Sequence, residues 1–421
     1  MALLSLCGAK MTSPSGLRAI MQDVATTITD PLDREWLNLS IGNPAAIPEV
    51  IAMWRRLTAD ALASKFEAVS CQYGPSRGAE ALLDAIVRYF DDRYRWGLLP
   101  DNVVVGPGSQ MLCFVAAALY AGPSDAGLRR IVLPVVPDYT GYQGVCMHAG
   151  GIVGVPPRIE TDGDRGFRYV VDLDALERVE DVGMFLLSTP SNPTGRAADP
   201  EELDAIVRIA EARGVPVVVD NAYGEPFPQV AATPSPPVWH PNVINLFTMS
   251  KAGMPGERIG FAVGAAEYTT AMTSFIANSA LHAPQLSQIV LANALASGDL
   301  DHTVGSVITP YYASKRRTAE KLLAERLPEW VDWRLHTSDG GMFCWLWFDH
   351  DWFDDADFYR RMKARKVFVV PGRHFFVDPA SVGPHGTHCI RISLSSDEAI
   401  LAEGIDRMAD ELEELGRGAG R

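Results

Sequence analysis

The chain has 421 residues, 47% of them hydrophobic and 21% charged, and carries a formal net charge of −15. That length is too great for one small domain, and the acidity argues against nucleic acid or an anionic membrane as a partner, because both would repel it. Six cysteines without C-x-x-C spacing read as reduced thiols; with no apolar run near roughly 18 residues, the expected setting is soluble and cytoplasmic.

In chain order, the first 45 or so residues show little periodicity and are expected to form an N-terminal arm plus a strand of a smaller domain, a boundary good to about ±4 residues. A large domain is expected over 46–300. In it, Asn102–Val105 is a short apolar strand leading through Gly106-Pro107-Gly108-Ser109-Gln110 into an apolar helix. Arg130–Val136, Gly183–Pro190, Val215–Tyr223 and Val243–Ser250 are continuous apolar runs bounded by breakers, as buried parallel strands are. Between them, Asp199 can cap a helix that has Pro200 in its first turn, Glu202 completing a capping box, and Gly214 at its end. From about Pro310 the texture changes. A long helical stretch, three strand-like runs and a closing amphipathic helix predict a smaller α+β domain over 301–421, with a hinge around 295–312. The fold class is α/β, a three-layer α/β/α large domain with a mostly parallel sheet.

Ligands of such sheets bind beyond the carboxyl ends of the strands, and the unusual residues fall there. Gly108, Ser109 and Gln110 open a helix, where backbone N–H groups suit a phosphate, although the same turn serves as an ordinary strand-to-helix connection. Tyr139 follows a strand end and reads either as a ring cover or as packing. Asn192, in "SNPTG", sits in a turn-forming dipeptide. Asp220 is sharper. It ends a valine run, where a carboxylate must be paired or functional. Lys251 stands in "MSKAGMPGERIG", among glycines and a proline, in a chain with only seven lysines among 37 basic residues. A surface helix would not use those neighbours.

Together a phosphate cradle, a ring cover, a buried carboxylate and a strand-end amine match pyridoxal 5'-phosphate. The motifs "GNPAAIPE", "YGPSRG", "GPGSQ", "PDYTGY", "SNPTG", "VDNAYGEPFP", "MSKAGMPGERIG", "WLWF" and "VPGRHFF" occur in one order from Asn38 to Arg391. In this the chain resembles the fold type I pyridoxal-phosphate enzymes of the aminotransferase class I/II family, and within it those of valine–pyruvate type. The resemblance implies that Lys251 forms a Schiff base with the cofactor and moves the proton of the substrate α-carbon. It implies that Asp220 pairs with the ring nitrogen, that Asn192 and Tyr223 bond the ring oxygen, and that Tyr139 stacks on the ring. Ser109, Gln110, Thr248 and Arg258 would hold the phosphate, with Tyr73 reaching in from the second subunit of a homodimer. Arg391 would clamp the substrate carboxylate, assisted by Gly42 and Asn192. Thr248 departs from the serine common in the family but keeps the hydroxyl.

The implied reaction passes the amino group of an L-amino acid with a small neutral side chain to a 2-oxo acid. A second reading keeps the cofactor and changes the chemistry. The spacing S-K-x-G-x-P-G-x-R is also similar to that of aminocyclopropane-carboxylate synthases, so γ-elimination or replacement on S-adenosylmethionine is the alternative. Glu225, just after Tyr223, is the residue that separates them: it is either a solvent-facing loop carboxylate or the partner of a cationic substrate. A DNA-binding regulator built on this domain would need a further N-terminal module and is not expected here, where the GNP motif starts by Gly42 and the net charge is −15.

Overall fold

The computed structural model describes residues 3–13, 16–30, 35–230 and 233–418. Its large sheet runs in the order Val103–Gly106, Gly260–Val263, Val243–Thr248, Val217–Asp220, Val182–Ser188, Gly127–Leu133, with Gly122–Ser124 and Ile152–Gly154 both paired to Gly127–Leu133. The strands from Val243–Thr248 to Ile152–Gly154 are parallel, whereas Gly260–Val263 is antiparallel to both its neighbours. Alternate side chains serve opposite cores. Val103, Val105, Phe247 and Phe261 pack into one apolar cluster, and Val104, Leu246 and Ala262 into the other. Because both faces are covered, these strands read as unbroken apolar runs.

Register decides what meets at the sheet's upper edge. Gly260 lies opposite both Gly106 and Thr248, Leu246 opposite Asp220, and Asp220 opposite Ser188. The residues that follow or precede these positions therefore emerge side by side.

A second, six-stranded sheet runs Val370–Pro371, Cys389–Ser393, Phe343–Phe348, Trp333–His336, Gly166–Val170, Arg158–Asp162. Its last two strands come from the middle of the chain, inside the 46–300 segment, and join the C-terminal strands through parallel pairing of Leu335 and His336 with Gly166 and Phe167. Leu37–Asn38 pairs in parallel with Val367–Phe368.

Two local expectations need correction, in the N-terminal segment and in the Pro200–Arg213 helix. The N-terminal arm, expected with little periodicity, is helical over Leu6–Thr12 and Gly16–Thr27, while the strand expected beside it forms at Leu37–Asn38. Leu17, Ile20, Met21 and Val24 form its apolar stripe at i, i+3, i+4 and i+7, the ordinary helical spacing, held over only a short helix. Around 295–312, the segment expected as a hinge, Gln285–Ser297 ends at Gly298, whose φ is 76°, and a π-helical turn at Val304–Ile308 leads into Thr309–Arg326. In the Pro200–Arg213 helix Asp199 does cap, accepting from the Glu201 N–H at 2.8 Å, and Gly214 ends it. The capping box does not form, because the Glu202 carboxylate accepts from the Val171 N–H at 3.0 Å and pairs with Arg196.

Candidate active site

A cavity of about 640 Å³ opens over the carboxyl edge of the large sheet. Among the residues singled out in the sequence, it brings together Gly42, Ser109, Gln110, Tyr139, Asn192, Asp220, Tyr223, Thr248, Lys251, Arg258 and Arg391.

Asp220 closes its strand and is 4% exposed. Its Oδ2 accepts from the Tyr142 hydroxyl at 3.1 Å, while its Oδ1 is buried without a partner. Burial pushes its pKa up to about 6, against the opposing pull of the Tyr142 hydroxyl and the Lys251 charge. Lys251 Nζ donates to the Gly42 carbonyl at 2.7 Å and lies 5.6 Å from the centre of the Tyr223 ring. Its pKa falls to about 8, first through burial and then through the Arg391 charge. A carboxylate made more basic and an amine made more acidic thus share one cavity.

Arg391, from Cys389–Ser393 in the second sheet, reaches the same space. It donates to Asn192 Oδ1 at 2.9 Å and to the Ser40 carbonyl at 3.1 Å, with the Phe343 ring 4.0 Å from its guanidinium carbon. Its Nε is buried and partnerless. Asn192 in turn donates to the Tyr223 hydroxyl at 3.3 Å. Tyr223 is held protonated, since burial raises its pKa strongly.

On the other side is a cradle for an anion. Ser109 and Gln110 begin the Ser109–Tyr120 helix, presenting its positive end. Arg258 is held by the Ser250 hydroxyl at 3.2 Å and the Pro255 and Pro107 carbonyls at 3.1 and 3.3 Å. Thr248 Oγ1 bonds Ser250 Oγ at 3.0 Å. Gly108 has φ of 84°, and a Cβ there would come within 2.7 Å of the Arg258 guanidinium. Only glycine leaves that space open.

Two singled-out residues stand elsewhere. Tyr73 is 86% exposed, edge-on to His282 and outside the cavity of its own chain. Glu225 corrects both of its expectations. It is 8% exposed, so it is not solvent-facing, and it does not line the cavity. Its carboxylate instead accepts from the Ser235 N–H at 2.9 Å, fastening the proline-rich loop after the strand.

Sequence reasoning missed several contributors. Tyr142, three residues after Tyr139 in the same motif, is the direct partner of Asp220. Asp138 accepts from the Tyr139 and Ser188 N–H groups at 2.7 and 3.1 Å, and burial lifts its pKa to about 7. It thereby ties together the turns that carry Tyr139 and Asn192. Leu17, Met21, Val24 and Ala25 cover the cavity from the Gly16–Thr27 helix.

Comparison with known families supplies the classification. The model of the family "Aminotransferase class I and II" matches residues 34–408. The chain belongs to the aminotransferase class I and II family. This aminotransferase is 31% identical to the valine–pyruvate aminotransferase of Escherichia coli (strain K12) over 411 residues, 97% of this chain and 98% of that one. It is 28% identical over 358 residues to the 2-aminoadipate transaminase of Thermus thermophilus, covering 82% and 83% of the two chains. The solved valine–pyruvate aminotransferase AvtA of Salmonella typhimurium LT2 matches with a TM-score of 0.86 at 30% identity, over 96% of this aminotransferase and all of that chain. A Psychrobacter arcticum 273-4 structure matches with a TM-score of 0.92 at 29% identity, covering 99% and 100%.

Proposed function

We propose that this aminotransferase uses pyridoxal 5'-phosphate to pass the amino group of an L-amino acid with a small, neutral, aliphatic side chain to a 2-oxo acid such as pyruvate, working as a homodimer. The observation that carries the reading is the partnerless, buried Asp220 Oδ1 in the cavity that also holds the Lys251 amine. A buried carboxylate oxygen without a donor is costly, and a protonated ring nitrogen would satisfy it. The Ser109 helix end, Thr248, Ser250 and Arg258 fit the phosphate, and Asn192 and Tyr223 fit the ring oxygen. When bound, pyridoxal phosphate supplies an electron sink for charge developing at the substrate α-carbon.

This chain's own residues would then do the following. Arg391 takes the substrate carboxylate, its partnerless Nε and its Nη groups forming a planar donor set. Lys251, with a pKa near 8, takes the proton from the substrate α-carbon and returns it, a task that needs a base poised close to neutral pH. Asp220, ionised above about pH 6, keeps a proton on the ring nitrogen. Leu17, Met21 and Val24 offer an apolar wall, which supports a neutral side chain over a cationic one. The E. coli and Salmonella relatives, valine–pyruvate aminotransferases by name, support the same substrate class. Tyr73, exposed on its own chain, is free to complete the site of a second subunit.

The test is borohydride reduction of the purified, cofactor-loaded protein followed by peptide mass spectrometry, alongside an assay of valine and alanine with 2-oxo acids. A cofactor adduct on Lys251 and amino transfer from valine to pyruvate are expected. An adduct elsewhere, or leaving-group release from S-adenosylmethionine without amino transfer, would refute the proposal.

A further inference from the structure

The Gly16–Thr27 helix contributes Leu17, Met21 and Val24 to the cavity, spaced by four and three residues so that one stripe faces inward. Ile20 of this helix is buried in the main core, with Val24 packed against that core, but Met21 is still 62% exposed, so packing secures only part of the roof. Two attachments add to it. At the helix start Gly16 lies against the His374 ring, where a Cβ would collide with Nδ1. In its middle, Asp23 Oδ1 meets Lys363 Nζ at 2.6 Å, and Oδ2 accepts from the Tyr359 hydroxyl at 2.6 Å.

Tyr359 and Lys363 stand four residues apart on the Asp355–Ala364 helix. The first residue of that helix, Asp355, accepts from the Arg373 N–H at 2.7 Å and pairs with its guanidinium, anchoring the Gly372–Phe375 turn. Phe375 of this turn lies 5.0 Å from the Arg391 guanidinium carbon, and His374 is the residue that abuts Gly16. One helix therefore supports the roof at one end and the backing of Arg391 at the other.

We propose that Asp23 is a positioning residue for substrate selection: its pairing with Lys363 and Tyr359 holds Leu17, Met21 and Val24 in place as the wall that favours branched aliphatic side chains. The proposal rests on the aminotransferase reading above, in which Arg391 and Lys251 fix the substrate's carboxylate and α-carbon and leave its side chain to the remaining wall. Asp23 itself does not line the cavity, so its influence passes through the helix. An isopropyl group has more apolar area to lose from water than a methyl group, so valine depends on the roof more than alanine does.

The test compares the holoenzyme with Asp23→Asn, Lys363→Ala, Asp23→Glu and Met21→Ala variants, using valine and alanine as donors and following hydrogen exchange in residues 16–27. Asp23→Asn and Lys363→Ala should each raise the KM for valine about three- to tenfold, the range for a part-buried charge-assisted pair, with kcat changed less than about twofold. The KM for alanine should stay within about twofold, and exchange should quicken in residues 16–27. Asp23→Glu should restore most of the valine KM. Met21→Ala should reproduce the loss of valine preference with exchange near the wild-type rate. Valine and alanine shifting together, an unchanged valine KM in Asp23→Asn or in Met21→Ala, or unchanged exchange in Asp23→Asn would overturn the proposal. A wild type active on both donors with indifferent variants removes only the roof's role. A wild type that transfers amino groups from neither removes the aminotransferase reading and this proposal with it.

Discussion

Asp220 and Lys251 converge in acidity, to about 6 and about 8, because each loses water on burial and each loss penalises the charged form. The consequence for Lys251 is kinetic. Only the neutral amine attacks a carbonyl, so the rate at which apoprotein takes up pyridoxal phosphate should climb with pH through about 8 and level off above it. A rate still rising steeply at a pH of roughly 10, the range of an unperturbed lysine, would show that burial does not act on Lys251 as described. Arg391 yields a second prediction. Its guanidinium lies over the Phe343 and Phe375 rings and offers a planar fork, which an ammonium cannot imitate. Arg391→Lys should raise the amino-acid KM by about 10- to 100-fold, the worth of a lost charge-assisted contact. Steady-state kinetics with native cofactor content would check it, and an unchanged KM would take Arg391 out of the carboxylate site.

The elements differ in how far local sequence governs them. The Pro200–Arg213 helix carries its stop and start signals in Asp199, Pro200 and Gly214. Asp199→Ala should cost about 1 kcal/mol in urea unfolding and leave turnover untouched, since the cap lies outside the cavity. Glu202 was legible as half of a capping box, yet it goes to Val171 and Arg196, because tertiary neighbours offered its carboxylate a buried N–H and a guanidinium. The turn before the Ser109–Tyr120 helix depends on Gly108. There Gly108→Ala would strain a positive-φ, extended-ψ backbone by about 1–3 kcal/mol. It would also push the Arg258 guanidinium aside, so that pyridoxal phosphate binding, read by equilibrium dialysis, weakens by about tenfold or more. Binding of wild-type strength would mean that Arg258 accommodates the methyl group and that the cradle does not need the glycine.

At the scale of the whole molecule, the cavity lies where two sheets contribute to one wall: Asp220 ends one strand of the large sheet, Lys251 follows another, and Arg391 belongs to the second sheet. The chain enters the second sheet early, through Arg158–Asp162 and Gly166–Val170, so the wall is stitched from segments far apart in sequence. The homodimer proposed above gives a prediction here. Sedimentation should find an active species of twice 45.8 kDa, and Tyr73→Ala should weaken cofactor binding without altering that mass. A fully active monomer would exclude sharing of the site.

Much of the large sheet was written in the sequence. Strands buried on both faces must be apolar along their whole length, so the valine runs before Asp220 and around Val104 identified themselves, as did the polar residues stranded at their ends. The motif order was equally plain, and with it Lys251, Asn192 and Arg391. Tertiary structure alone decided the rest. It turned Tyr142 onto Asp220, gave Glu225 to the Ser235 N–H, and laid the Gly16–Thr27 helix over the cavity. The reason is that a run of side chains reports its own periodicity and solvent preference. Which hydroxyl reaches a given carboxylate, and which helix roofs a given cavity, depends on strand register and on contacts such as Asp23 with Lys363, 340 positions apart.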